Sequence, residues 1–310
     1  MLTNIFGHDL LPSWQIVDAV HKNGSFIFLQ LGALGRRASL DVLQEEGGYP
    51  LVAPSPIPIP PANKPNDNTP PRPVPRALTV EEIGEYVQLY ASAARNAVLG
   101  AGFDGVEIHS AYGYLPDQFL QTNSNERTDS YGGSLENRMR FVLEVTEAVA
   151  NAVGENKVGI RFSPWSTSQG ERGFFSLRRR LVFNSQISGM RMAYPLPTFA
   201  EVVRRIRAGH PDFAYLHIVE PTTHLRPAGE SENKDSSKLL REIWGDGKYI
   251  TNSDYGRDTA IEVVEKEGGL VSFARHFISN VSKMTPGSYS LSTNRDTDLA
   301  STDSLIYHFA

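Results

Sequence analysis

The stretch FDGVEIHSAYGYLPDQFLQTNSNERTDSYGGSLENRMR, residues 103–140, decides how the chain folds. It opens as a short apolar run, with Phe103, Val106 and Ile108, and ends at His109. A polar loop rich in Gly and Asn follows. Ser134 then caps a helix whose apolar residues Leu135, Met139, Val142, Val145 and Val149 recur at helical spacing. Strand, long loop and helix make one β/α unit. In barrels built from such units the chemistry sits at the C-terminal end of the strand and in the loop after it. His109, Tyr112 and Tyr114 fall there.

Outward from this unit the pattern repeats. Residues 12–22 read as a helix with Ile16, Val17 and Val20 apolar, ended by Asn23-Gly24. SFIFLQL, 25–31, is a buried strand with Gln30 near its end, where a Gln commonly caps a loop. Residues 37–78 form an excursion. Eleven of the chain's 20 prolines lie between Pro50 and Pro75, and proline is excluded from helix interiors and central strands. This stretch is expected to be extended surface loop; a Pro-rich ligand for a partner is the other reading. Thr79-Val80-Glu81-Glu82 is a capping box, and Ile83, Val87, Tyr90, Ala94 and Val98 form the inner face of the helix it opens.

KVGIRFS, 157–163, is the next strand. Arg161 within it needs a partner, for which a structural ion pair is one reading. A second capping box, Thr198 to Glu201, opens a helix to about Ala208. Strand 213–219, helix 239–244, strand 248–252, a helix capped by Asp258 and strand 270–274 complete the series. Six strands alternating with helices predict an α/β fold with a parallel sheet.

The length, 310 residues, suits one barrel domain spanning 1–310, with an irregular tail over 281–310. A net charge of −5 leaves no basic footprint for nucleic acid. No cysteine is present, which excludes disulfides, thiolate metal sites and a Cys nucleophile. No apolar run reaches the roughly 18 residues of a membrane span. MLTNIFGHDLL lacks the basic start and apolar core of a signal peptide, so a cytoplasmic location is the expectation. The eight histidines show no HxH or HExxH spacing, which weighs against a metal-dependent hydrolase.

HSAYGYLPDQFLQTNSNERTDSYGGSLENRMRF resembles the central segment of the Old Yellow Enzyme family. That resemblance implies a TIM (β/α)8-type barrel, FMN as cofactor, NAD(P)H as reductant, and reduction of the C=C bond of an α,β-unsaturated carbonyl compound. The family reads His-x-x-Asn or His-x-x-His, then Gly-Tyr; this chain has Tyr112 at the altered position. Carried over, His109 and Tyr112 would hold the substrate carbonyl, and Tyr114 would be the proton donor. Gln30 would meet the pyrimidine edge of the flavin; Gly32 stands where the family usually has Trp. Arg161 would face flavin N1 and the C2 carbonyl. Ser253, Asp254, Ala274 and Arg275 fall at the phosphate site, where the family's glycines are replaced.

The six strands match the family's strands three to eight, so an incomplete barrel is expected. Residues 171–188 interrupt the family pattern between Gln169-Gly170 and Gly189-Met190 and read as an insert lying outside the barrel. A basic partner-binding loop around Arg178-Arg179-Arg180 is the other reading. Two functions remain: a working FMN ene reductase, or a non-catalytic remnant with weak or no flavin binding.

Overall fold

The computed structural model describes residues 11–60, 72–166, 190, 192–221, 236–253 and 255–273. Helix α1 (Leu11–Lys22) leads into β1 (Phe28–Leu31). A 3-10 turn (Gly35–Arg37), helix α2 (Leu40–Glu45) and a small parallel pair, β2 (Val52–Ala53) with β3 (Arg76–Ala77), follow. Then come α3 (Val80–Arg95), β4 (Gly105–Ser110), α4 (Leu115–Leu120), α5 (Leu135–Val153) and β5 (Val158–Phe162). The series ends with α6 (Pro195–Gly209), β6 (Tyr215–Val219), α7 (Lys238–Trp244), β7 (Tyr249–Asn252), α8 (Arg257–Glu267) and β8 (Leu270–Val271).

The six long-range strands form one sheet in the order β1-β4-β5-β6-β7-β8, and every neighbouring pair is parallel. Strands adjacent in the chain are adjacent in the sheet, each joined by a helical crossover, which is the wall of a (β/α)8-type barrel. Among the described residues the outermost strands of this wall are β1 and β8. The first strand begins later than expected because Ile27 N donates to the Asp104 side chain at 2.7 Å rather than to a neighbouring strand.

Alternation along each strand separates two faces. Val106, Ile108, Val158, Ile160, Phe162, Leu216 and Ile218 are fully buried against the helices, in one core with Val142, Val145 and Val149 of α5 and Phe199, Val202, Val203 and Ile206 of α6. The other face points into the barrel. There Phe28 and Tyr215 lie across the sheet with ring centroids 5.4 Å apart. Two glycines make room for them. A Cβ on Gly105 would stand 2.3 Å from the Phe28 ring, and one on Gly159 2.3 Å from the Tyr215 ring.

Both capping signals at α3 and α5 form. Thr79 Oγ1 accepts from Glu82 N at 3.2 Å, the Glu82 carboxylate accepts from Thr79 N at 2.8 Å, and Ser134 Oγ accepts from Asn137 N at 3.2 Å. Two other expected caps do not form. Helix α6 starts at Pro195, so Thr198 lies inside it and is buried, while Glu201 pairs with Arg204 and Arg205 on the surface. Proline at the first helical position, with φ already set, moves the start upstream. At α8 the cap is Gly256, whose N–H donates to Thr259 Oγ1 at 3.0 Å, and Asp258 lies in the first turn.

The excursion also differs from expectation. Its proline-free part forms α2, and Leu43, Leu51, Ala53 and Leu78 are buried, so the segment contributes to the core as well as covering it. Arg127 ties it to the central loop, donating to Pro54 O at 2.8 Å and Leu78 O at 2.6 Å. The 171–188 insert and the 281–310 tail lie outside the described residues.

Helix α4 has no warning in the apolar pattern, since LPDQFL sits within a polar stretch; yet all six residues are buried. Asp117 is the reason the polar groups are tolerated. Its Oδ2 accepts from Gly113 N at 2.8 Å and its Oδ1 from Gln121 Nε2 at 2.8 Å. Burial pushes the carboxyl up to about 7, against those two hydrogen bonds and the charge of Arg36.

Two predictions follow from packing and burial. Gly159→Ala should destabilise the protein by about 1–3 kcal/mol in urea unfolding, because the Tyr215 ring cannot move without disturbing Phe28; an unchanged midpoint counts against the close approach. A folded-state carboxyl raised above its ordinary value binds its proton more tightly in the folded than in the unfolded chain. Its contribution is therefore complete below about pH 4 and declines as pH rises to about 7. Asp117→Asn should remove this decline from the pH profile of Tm, read as the difference between parent and variant. A difference that is flat across that window overturns the assignment.

Candidate functional site

The site is built at the C-terminal ends of β1, β4 and β5. In the β4–β5 ladder His109 stands beside Arg161. The imidazole is buried, and its Nδ1 accepts from Ala111 N at 3.2 Å. That hydrogen bond assigns the proton of the neutral ring to Nε2. The ring of Tyr114 stacks on it with centroids 4.0 Å apart and planes at 27°. Tyr112 meets it edge-on at 6.3 Å. The three residues singled out from the sequence therefore share one place.

Gly32 gives the stack its room. A Cβ there would lie 3.2 Å from the Tyr114 ring and 3.6 Å from His109 Cβ. A large side chain at this position is compatible only with a different placement of Tyr114.

Arg161 is half-buried, and among the described residues its neighbour is an aromatic face, not the carboxylate of the ion-pair reading. Its guanidinium carbon lies 5.1 Å from the centroid of the Tyr112 ring. Its Nε is buried and has no hydrogen-bond partner among the described residues. A buried N–H without an acceptor is costly, which makes it a position suited to an acceptor brought by a ligand.

Gln30 does not cap a loop. Its Nε2 donates to Glu107 Oε1 at 2.6 Å. The other Glu107 oxygen is 2.8 Å from His217 Nδ1, and His217 Nε2 is 3.1 Å from Ser272 Oγ. This chain of side chains crosses the inner face from β1 through β4 and β6 to the residue after β8. By register Gln30 and Glu107 lie one inward position below His109 and Arg161, and His217 stands level with Arg161 on the next strand. Burial and the Glu107 carboxylate push the neighbouring Tyr215 hydroxyl well up.

Glu107 and His217 did not emerge from the sequence reading. The signal was available: each is a polar residue on the inward alternation of an otherwise apolar strand, in VEIH and YLHIV. Arg37 was also missed. It donates from Nη1 to Tyr112 O at 2.9 Å, and its guanidinium carbon lies 5.2 Å from the Tyr114 ring. Of the residues expected at a phosphate, Ser253 follows β7 and is half-buried, whereas Asp254, Ala274 and Arg275 lie outside the described residues.

Among the described residues no helix is long and apolar enough to cross a membrane. The family model for NADH:flavin oxidoreductase / NADH oxidase matches residues 3–285. A probable inactive dehydrogenase, easA, from Claviceps purpurea (strain 20.1) is 38% identical over 285 residues, covering 89% of this chain and 67% of the relative. The chanoclavine-I aldehyde reductase fgaOx3 of Penicillium roqueforti is 40% identical over 284 residues, covering 89% and 68%. The solved Old Yellow Enzyme homologue of Zymomonas mobilis superposes with a TM-score of 0.71 at 30% identity, covering 88% of this chain and 70% of that one. The chain thus spans about two thirds of the length of these relatives. Parallel wall, strand-end site and sequence agree, and the chain belongs to the FMN-dependent NADH:flavin oxidoreductase family of Old Yellow Enzymes.

Proposed function

We propose that this chain is an NAD(P)H-dependent FMN oxidoreductase that reduces the C=C bond of small α,β-unsaturated carbonyl compounds. The observation that carries the proposal is the His109–Tyr114 stack at the end of β4, beside an Arg161 whose buried Nε has no acceptor among the described residues. The name of the aldehyde reductase relative supports a reductase acting on a carbonyl compound.

The residues around the strand ends suit FMN on chemical grounds. Arg161 offers a cation and an unused N–H to the electron-rich pyrimidine edge of a flavin. Gln30 offers an amide from the adjoining strand end. By the resemblance Ser253, Asp254, Ala274 and Arg275 fall at the phosphate: Arg275 is the cation there, and the Asp254 carboxylate repels a phosphate unless it is turned away. Bound FMN, reduced by NAD(P)H, supplies the hydride. The chain supplies donors and a proton. His109 donates from Nε2 to the carbonyl oxygen of the substrate, and the Tyr112 hydroxyl is the second donor. Both stabilise the negative charge that develops on that oxygen. Tyr114 delivers its phenolic proton to the α-carbon.

A second reading, a non-catalytic remnant, draws on the Tyr112 ring lying over Arg161 and on the relative named as an inactive dehydrogenase. The visible spectrum of the purified protein separates the two. A bound flavin band supports the enzyme; a colourless protein unaltered by added FMN supports the remnant.

Given flavin, Tyr114→Phe should leave reduction by NAD(P)H within about twofold of the parent. Enone-driven reoxidation should fall by about 10²-fold, the scale of a positioned acid–base group. His109→Ala should weaken both enone binding and reoxidation, by about 10²–10³ in rate. Stopped-flow traces of the two half-reactions are the measurement. Parental reoxidation in the Tyr114→Phe protein removes Tyr114 as the proton donor.

A further inference from the structure

The backbone between His109 and Tyr114 is a tight turn of an unusual kind for its residues. Tyr114 N donates to Ala111 O at 3.1 Å, closing a four-residue turn. Both central residues have positive φ, 50° at Tyr112 and 74° at Gly113. Positive φ at both centres is the type I′ pattern, which favours Asn-Gly, because Asn tolerates the left-handed region and a bulky side chain does not. Tyr112 is the one non-glycine residue with positive φ among the described residues. Something outside the turn must hold it there.

All four central backbone polar groups are held by side chains. Tyr112 N donates to Ser163 Oγ at 2.7 Å, from the residue after β5. Tyr112 O accepts from Arg37 Nη1 at 2.9 Å, from the turn after β1. Gly113 N donates to Asp117 Oδ2 at 2.8 Å, and Gly113 O accepts from Gln118 Nε2 at 2.7 Å, both from α4. Gln118 reaches further, to Leu34 O at 3.0 Å, so the clamp is tied to the segment that carries Arg37. Ser163 and Gln118 are fully buried and Asp117 nearly so. Arg37 in addition lies over the Tyr114 ring.

We propose that Arg37, Ser163, Asp117 and Gln118 are positioning residues. They clamp the strained Tyr112–Gly113 turn from three elements and thereby set where the Tyr112 and Tyr114 hydroxyls stand relative to His109. None of the four needs to touch substrate. The assignment of a proton to Tyr114 rests on the function proposed above; the clamp itself does not.

The test has one arm that needs no flavin. In hydrogen exchange of the whole chain, peptides spanning 111–118 should be protected. Arg37→Leu should speed their exchange at least tenfold, with the peptides of β5 and α5 unchanged. Arg37→Lys, which keeps a donor, should recover part of the protection. Ser163→Ala, which removes the acceptor of Tyr112 N, should act in the same direction should Arg37→Leu fold poorly. Combining Arg37→Leu with Tyr112→Asn should shrink the effect to about threefold or less, since Asn accepts the left-handed backbone unaided. An unchanged exchange rate in both Arg37→Leu and Ser163→Ala, or an equal effect in the Tyr112→Asn background, overturns the clamp.

The second arm uses protein loaded with FMN. Arg37→Leu should slow reoxidation by enone about tenfold while reduction by NAD(P)H stays within twofold. Equal slowing of both half-reactions, or of neither, overturns the positioning role. A protein that takes up no FMN refutes the proposed function and leaves the exchange arm to decide the clamp.

Discussion

The buried Glu107 carboxylate is the constraint around which the inner face of the wall is arranged. Taking a charge out of water costs several kcal/mol unless partners replace the solvent. Here the partners come from other strands: the Gln30 amide on one side and the His217 imidazole on the other. Neither reaches Glu107 unless the register of β1 on β4, and of β4 through β5 on β6, is correct. A one-residue slip moves each of these side chains to the opposite face. The polar chain therefore makes register a matter of charge solvation as well as of apolar packing. Gly105 and Gly159 serve the same face sterically, letting Phe28 and Tyr215 lie across the strands.

One inward position above Glu107 the sheet presents His109 and Arg161 side by side, with His217 next to Arg161. Two cations, Arg37 and Arg161, each lie against one of the two site tyrosines. The arrangement concentrates donors at one spot. Its shape depends on a backbone conformation that costs about 1–2 kcal/mol for a residue with a Cβ. The family's Asn would carry that conformation at a lower cost than Tyr112. The position therefore couples two choices, the second donor that the proposed function assigns to it and the strain of the turn beneath it. Gly32 completes the coupling, because the Tyr114 ring occupies the room its missing side chain leaves.

Much was legible in the sequence because it depends on periodicity. The alternation of apolar strand and amphipathic helix announced a parallel wall, and its six strands appear in the expected order. Thr79 with Glu82, and Ser134, marked helix starts because capping is local chemistry within a few residues. Local signals misled where a competing residue had a stronger claim: Pro195 over Thr198, and Gly256 with Thr259 over Asp258. The helix α4 stayed hidden because its buried polar residues are satisfied by hydrogen bonds to backbone just before it, at Gly113, and far from it, at Leu34, which no apolar period records.

The sequence by itself determined the family, the order of the wall and the gathering of His109, Tyr112 and Tyr114 at one strand end. All three lie within six consecutive residues, so any fold that ends a strand at His109 brings them together. Tertiary structure alone decided what surrounds them. Glu107 and His217 are 110 positions apart, Gln118 and Leu34 are 84 apart, and Arg37 and Tyr112 are 75 apart. Contacts across such separations are set by register and crossover geometry, to which no short stretch of sequence has access. The same holds for the φ of Tyr112: its own side chain disfavours the conformation, and only the groups that other elements bring to the turn hold it in place.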